Sequence, residues 1–225
     1  MKYIFFLIST LIMGPATWAQ YTQQRLDNSQ AIKTDNYADI KGSPYLYKDF
    51  MYSTFFDSEG TQYKSELLNY NGYENTFEVI RDGKQYNFKV SLYDSIAVHP
   101  NKNDSLKLYE SFVKRFSPNN TSFTNVVYYG KNIQLIRKFR VEVNQKVTET
   151  PGATIKTKRF ADYANYSLVM HGETNKIRLK KSDIINKLGY KSAIQEYIKQ
   201  ENLSMNKVAD VKKLLRYYEN NLQTH

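Results

Sequence analysis

Two groups of side chains in this sequence have the types and spacing to act on another molecule. The first is Tyr63, Tyr70, Tyr73, Tyr86 and Tyr93, drawn from a chain with 20 tyrosines. A tyrosine ring packs on an apolar surface while its hydroxyl finds a partner, so these five make either a half-buried sheet face or a stacking platform for carbohydrate or peptidoglycan. The second is Lys176, Arg178 and Lys180, which alternate with Ile177 and Leu179. Alternation puts the three cations on one strand face, where they are either solvated or in contact with an anionic lipid or glycan.

Most other chemistries lack their residues. With no cysteine there is no disulfide, thiolate nucleophile, thiol metal ligand or lipidated cysteine. His99, His171 and His225 are scattered with no His-x-x-x-His or carboxylate-bracketed spacing, so turn or surface positions suit them and neither a metal nor a cofactor is expected. The chain has no Gly-x-Ser-x-Gly elbow, phosphate-cradling glycine loop or calcium-loop pattern. A hydrolase would need carboxylates such as Asp49, Asp57, Glu66 or Glu78 to converge in a cleft with raised pKa values.

Charge bears on the partner, and the first residues suggest an address. The net charge is +10, and from Pro151 onward 14 Lys and Arg face 7 Asp and Glu. That balance suits acidic glycan, anionic lipid or simple solubility, and no arginine-rich block points to nucleic acid. Lys2, the apolar run Tyr3 to Met13, Gly14-Pro15 and the small residues Thr17 and Ala19 have the order of a secretory signal peptide cut after Ala19. Residues 1–19 are therefore expected to be a signal, with no transmembrane segment once it is removed and a periplasmic or secreted location.

Residues 20–41 read as a flexible polar leader, with order beginning at Gly42-Ser43-Pro44-Tyr45-Leu46. Asp49 to Phe56 predicts a strand turned at Asp57-Ser58-Glu59-Gly60, and Thr61 to Leu68 returns. The firmest register follows: a type I′ turn at Asp82-Gly83 pairs Val79 with Tyr86, Phe77 with Phe88 and Glu78 with Asn87, giving one apolar and one wet face. Ser91 to His99 reads as a strand, and Leu106 to Phe116 as a strand rather than a helix. Gly130-Lys131 suits a type II′ turn pairing Tyr128 with Ile133 and Val126 with Leu135. Residues 145–158 hold Pro151-Gly152 and are expected to be a mobile loop. A third hairpin spans Tyr166 to Leu179, with His171 to Asn175 as its loop. After Lys181 the period becomes helical: Ser182 caps a helix closed by Gly189, and two more run over residues 192–202 and 206–220. The fold class is α+β: a mainly antiparallel sheet body over residues 42–181, an open curved sheet or half-barrel, followed by C-terminal helices packed on it over residues 182–225.

Gly42-Ser43-Pro44-Tyr45 ahead of a strand, Leu68-Asn69-Tyr70-Asn71 ahead of a Phe-Glu-Val strand, and the closing Tyr217-Tyr218-Glu219-Asn220 together resemble exported proteins of unknown function from the Bacteroidota. The resemblance implies a Gram-negative envelope address and carries no catalytic residues. In that setting Asp94-Ser95-Ile96 and Asp104-Ser105-Leu106 look like the phylum's periplasmic O-glycosylation pattern. Three functional readings stay open: a non-enzymatic binding or structural module of the envelope, whose partner is glycan, anionic lipid or another envelope protein; a carrier holding an apolar ligand inside a curved sheet; and a glycan- or peptide-acting enzyme.

Overall fold

The structure is a computed structural model that describes residues 30–31, 37–101, 109–116 and 122–223. The signal peptide, most of the leader, Ser105, Leu106 and Leu108, residues 117–121 and His225 lie outside the described residues. Within the expected leader, β1 (Gln30–Ala31) and β2 (Ile40–Lys41) are strands, and the Tyr37 ring packs edge-on against Tyr73 and Phe160. Strand pairing at Gln30–Ala31 and Ile40–Lys41, with aromatic contact at Tyr37, thus places the described part of that segment ahead of Gly42.

Next come β3 (Met51–Phe56), β4 (Gln62–Asn71), β5 (Thr76–Arg81), β6 (Lys84–Phe88), β7 (Ser95–His99), β8 (Glu110–Val113), β9 (Thr124–Tyr129), β10 (Ile133–Thr150), β11 (Ala153–Met170) and β12 (Glu173–Ile177). These twelve strands form one open sheet, ordered β1-β6-β5-β4-β3-β7-β8-β9-β10-β11-β12, with β2 pairing parallel to β11 and every other pair antiparallel. Three helices follow: α1 (Lys181–Leu188), α2 (Lys191–Gln200) and α3 (Val208–Asn221). The fold is α+β, an antiparallel sheet with C-terminal helices.

Turn chemistry explains which registers were readable. Asp82 and Gly83 both hold positive φ, and Phe77↔Phe88, Glu78↔Asn87 and Val79↔Tyr86 pair as the type I′ geometry requires. His171 and Gly172 make a second such turn, so β11 and β12 join in two residues rather than five. Residues 145–158 are strand: Pro151-Gly152 turns β10 into β11, Gly152 supplies the positive φ, and the β-branched Val147, Thr148, Thr154, Ile155 and Thr157 favour extension. Gly130 has no positive φ, so no type II′ turn forms. Tyr128 pairs with Leu135 and Val126 with Ile136, across a bulge. Ser182 does not cap α1; Lys180 is the cap residue, without a side-chain hydrogen bond, while Gly189 at φ 73° closes the helix as its sequence suggests.

The sheet rolls. The Val141 amide donates to the Gly72 carbonyl at 2.9 Å, joining the end of β4 to β10 although five strand steps separate them in the sheet. Gly72 is required there, because a Cβ would come within 2.5 Å of the Phe139 ring. The inner face of the roll is filled by its own rings, with Phe55, Phe77, Phe88, Tyr93 and Phe112 buried together. On the β9–β12 half the same face takes the helices: Tyr128, Ile133, Leu135, Leu168 and Ile177 pack against Ile184, Ile194, Val211, Leu214, Leu215 and Tyr218. Between these two cores Glu110 pairs with Arg137 at 2.5 Å, the Tyr47 hydroxyl donates to the same carboxylate oxygen at 2.9 Å, and Arg137 Nε donates to Asn125 at 2.9 Å.

Candidate functional site

The sequence-predicted tyrosines do not share an exposed face. Tyr63 and Tyr93 are buried in the inner core, Tyr63 donating its hydroxyl to Asp57 at 2.6 Å; Tyr70 and Tyr86 pack against that core; Tyr73 alone is well exposed. The candidate carboxylates do not converge either. Asp57 accepts from Tyr63, which holds its pKa below the usual carboxylate value, Glu66 pairs with Arg81, Asp49 is exposed, and Glu78 is buried on the opposite face. That expected wet face is covered: the Tyr45 hydroxyl donates to Glu78 at 2.7 Å, as does Asn71 at 2.7 Å, and Gln85 completes the set. Burial and the neighbouring Glu78 push the Tyr45 hydroxyl well above its ordinary value. His99 is not at the surface but buried, bonded to Thr54 at 3.2 Å, while His171 sits in its turn.

The outer face of the β7–β12 half is different. One hydrogen-bonded row crosses it, Thr54↔Ala97↔Ser111↔Val126↔Ile136↔Ser167↔Lys176. Small and β-branched side chains along a single row make a shallow floor. At about 4.8 Å per strand, the stretch from Ala97 to Lys176 runs roughly 24 Å. Arg115 and Phe116, just after β8, stand over its middle, where Phe116 packs on Val126, Ile136 and Val169.

Three adjoining depressions lie along this floor. One of about 470 Å³ is walled by Phe56, Ala97, Val113 and Tyr129 with Lys114 and Arg115 at its rim. One of about 960 Å³ continues past Arg115 and Tyr129 to Lys131, Gln134, His171 and Thr174. The last, about 600 Å³, holds Lys138, Asn165, Ser167, Thr174, Lys176, Arg178 and Asp183. Their cations are Lys114, Arg115, Lys131, Lys138, Lys176 and Arg178, against the carboxylates Asp94 and Asp183. Lys114 pairs with Asp94 at 3.4 Å, and Arg178 holds Asp183 through two bonds of 2.7 and 3.0 Å, which drop that carboxyl to a pKa of about 2. The ion pairs of the described residues leave Arg115, Lys131, Lys138 and Lys176 without a carboxylate.

Two of the three predicted cations, Lys176 and Arg178, thus line one depression, while Lys180 stands apart at the start of α1. Lys138, Arg115, Lys131 and Tyr129 went unseen. One sequence signal for Tyr129 was present, since alternation puts it on the face opposite Tyr128; in the structure the residue is 51 % exposed. Ser95 of the glycosylation pattern lies half-buried in β7 beside Val113, on the wall of the first depression.

The turn carrying Lys131 is tied to the last helix. Glu219 accepts from the Tyr128 hydroxyl at 2.7 Å and from the amides of Asn132 and Ile133 at 2.8 and 3.1 Å, and a Cβ on Gly130 would run into that carboxylate. This contact, rather than backbone freedom, is what Gly130 serves. Among the described residues no cluster of His, Asp and Glu could hold a metal ion, and no helix is long and apolar enough to cross a membrane. Comparison with family models, curated proteins and solved structures returns no match.

Proposed function

We propose that this chain is an exported, non-enzymatic binding module of the cell envelope that holds an acidic glycan along the outer-face groove. The observation that carries the reading is the charge of that groove: four cations with no carboxylate partner among the described residues, beside a floor of Ser111, Ser167 and Thr174. Hydroxyls and amides on a flat sheet face suit sugar hydroxyls, the cations suit carboxylate or sulfate groups, and the exposed Tyr129 ring offers a stacking surface. A groove of roughly 24 Å takes a chain of several sugars rather than a single small molecule. The leading signal pattern supports the exported address.

The test is calorimetric titration of an acidic oligosaccharide into the full chain at two salt concentrations. Binding that weakens about tenfold between low and high salt, as screened exposed charges require, supports the reading. A heat signal indistinguishable from that of a neutral oligosaccharide of equal length overturns it.

A further inference from the structure

The groove is not uniform along its length, and we infer that its ligand is an acidic saccharide carrying an apolar substituent at one end. This rests on the glycan reading above and adds the chemistry of the ligand's terminus. At the β7–β8 end the walls are Phe56, Ala97 and Val113, with Ser95 and Ser111 between them; the paired Asp94 and Lys114, and Arg115, also line it as its charged groups. At the β12 end the lining turns to Lys138, Asn165, Ser167, Lys176 and Arg178. A mainly apolar depression of about 470 Å³ that leads through the middle one to the cationic one favours a ligand with the same polarity gradient, because burying an alkyl group there is favourable and burying a sugar's hydroxyls without partners is costly.

The junction is built for an acid. The Arg115 guanidinium lies 4.6 Å from the Phe116 ring centre and 4.8 Å from the Tyr129 ring centre. Held between two rings, it loses little freedom on binding, and its N–H fork has no carboxylate partner among the described residues. Arg115 and Tyr129 border both the apolar depression and the one beyond it. An acidic group on Arg115 therefore sets the point where the apolar substituent enters on one side and the saccharide leaves on the other.

The experiment measures the affinity of the full chain for three probes: tetragalacturonate, its octyl glycoside, and the uncharged octyl maltoside. The inference predicts that the octyl group tightens tetragalacturonate binding by on the order of tenfold or more. It also predicts that Ala97→Trp, checked for an unchanged melting temperature, removes the gain from the octyl group, so that capped and uncapped tetragalacturonate bind the variant equally. Equal affinity for capped and uncapped tetragalacturonate overturns this inference and leaves the glycan reading standing. Octyl maltoside binding as tightly as the capped acid overturns it as well, since the acid at Arg115 then contributes nothing. If neither acidic probe binds, the glycan reading itself fails. The ligand comparison decides the matter even where Ala97→Trp does not fold.

Discussion

Glu110→Ala is the substitution with the largest effect this structure predicts away from the groove. The Glu110 carboxylate is 3 % exposed and Arg137 is 11 % exposed, so the pair sits in protein rather than in water. Removing the carboxylate leaves a buried guanidinium with Asn125 as its remaining partner and strips the Tyr47 hydroxyl of its acceptor. Breaking a buried pair from one side costs about 3–5 kcal/mol. For a chain of this size that lowers the melting temperature by roughly 10 °C. The Glu110→Leu/Arg137→Met double variant removes both charges together and is expected to recover most of that loss, because the larger cost comes from the stranded charge; what remains, about 1–3 kcal/mol, is the buried Tyr47 hydroxyl left without its acceptor. Chemical denaturation of the parent, Glu110→Leu, Arg137→Met and the double variant measures the coupling, with Glu110→Ala run beside them. A Glu110→Ala loss below about 1 kcal/mol, the range of a solvated surface pair, would refute the claim that this pair separates two dry cores.

Other consequences are as direct. Gly130→Ala drives Glu219 off the β9–β10 turn and is expected to cost about 2 kcal/mol, with faster hydrogen exchange at the Asn132 and Ile133 amides; unchanged exchange there would show that Glu219 does not hold the turn. Gly72→Ala forces the Phe139 ring aside and is expected to cost about 1–3 kcal/mol in urea unfolding, whereas a neutral result would mean that β4 and β10 do not meet. Asp183 has a depressed folded pKa, so its contribution is complete above the ordinary carboxylate value of about 3.9 and disappears as pH falls toward about 2. Asp183→Asn removes that acid-side dependence, read as a flatter melting temperature against pH. Burial, then a neighbouring carboxylate, raises Tyr45, Tyr47 and Tyr128. Their stabilisation is complete below pH of about 10 and is lost above it, so tyrosinate absorbance and unfolding should rise together in alkali.

The sheet was legible where a local signal fixed it. Asp-Gly at residues 82–83 names its own turn type, and the alternation of Phe77, Val79, Tyr86 and Phe88 names the buried face. Gly130 misled because its lack of a side chain answers to Glu219, far along the chain, and not to its own dihedral angles. Residues 145–158 misled for a related reason: polar composition suggests a loop, while regular pairing from Thr150↔Ala153 inward makes a ribbon. Glu78 looked solvent-facing from alternation alone, and only the preceding segment, bringing Tyr45 across, buries it. The groove was half legible. Lys176 and Arg178 share a strand-end pattern visible in sequence, but Lys138 and Arg115 arrive from β10 and the end of β8, and strand order sets those neighbours. The tyrosines were the opposite case, conspicuous in sequence yet used for packing, because a hydroxyl bonded to Asp57 lets a ring such as Tyr63 enter the core.

The most direct measurement of the central claim is the location of bound ligand, by amide chemical-shift mapping of the full chain with tetragalacturonate, in the parent and in Arg115→Gln/Lys138→Gln/Lys176→Gln. The account predicts shifts confined to β7–β12 and the residues around Arg115, with affinity lost roughly a hundredfold in the triple variant, from three exposed contacts at up to about 1 kcal/mol each. Shifts centred on the tyrosines of β4–β6, or a triple variant that binds as the parent does, would contradict it.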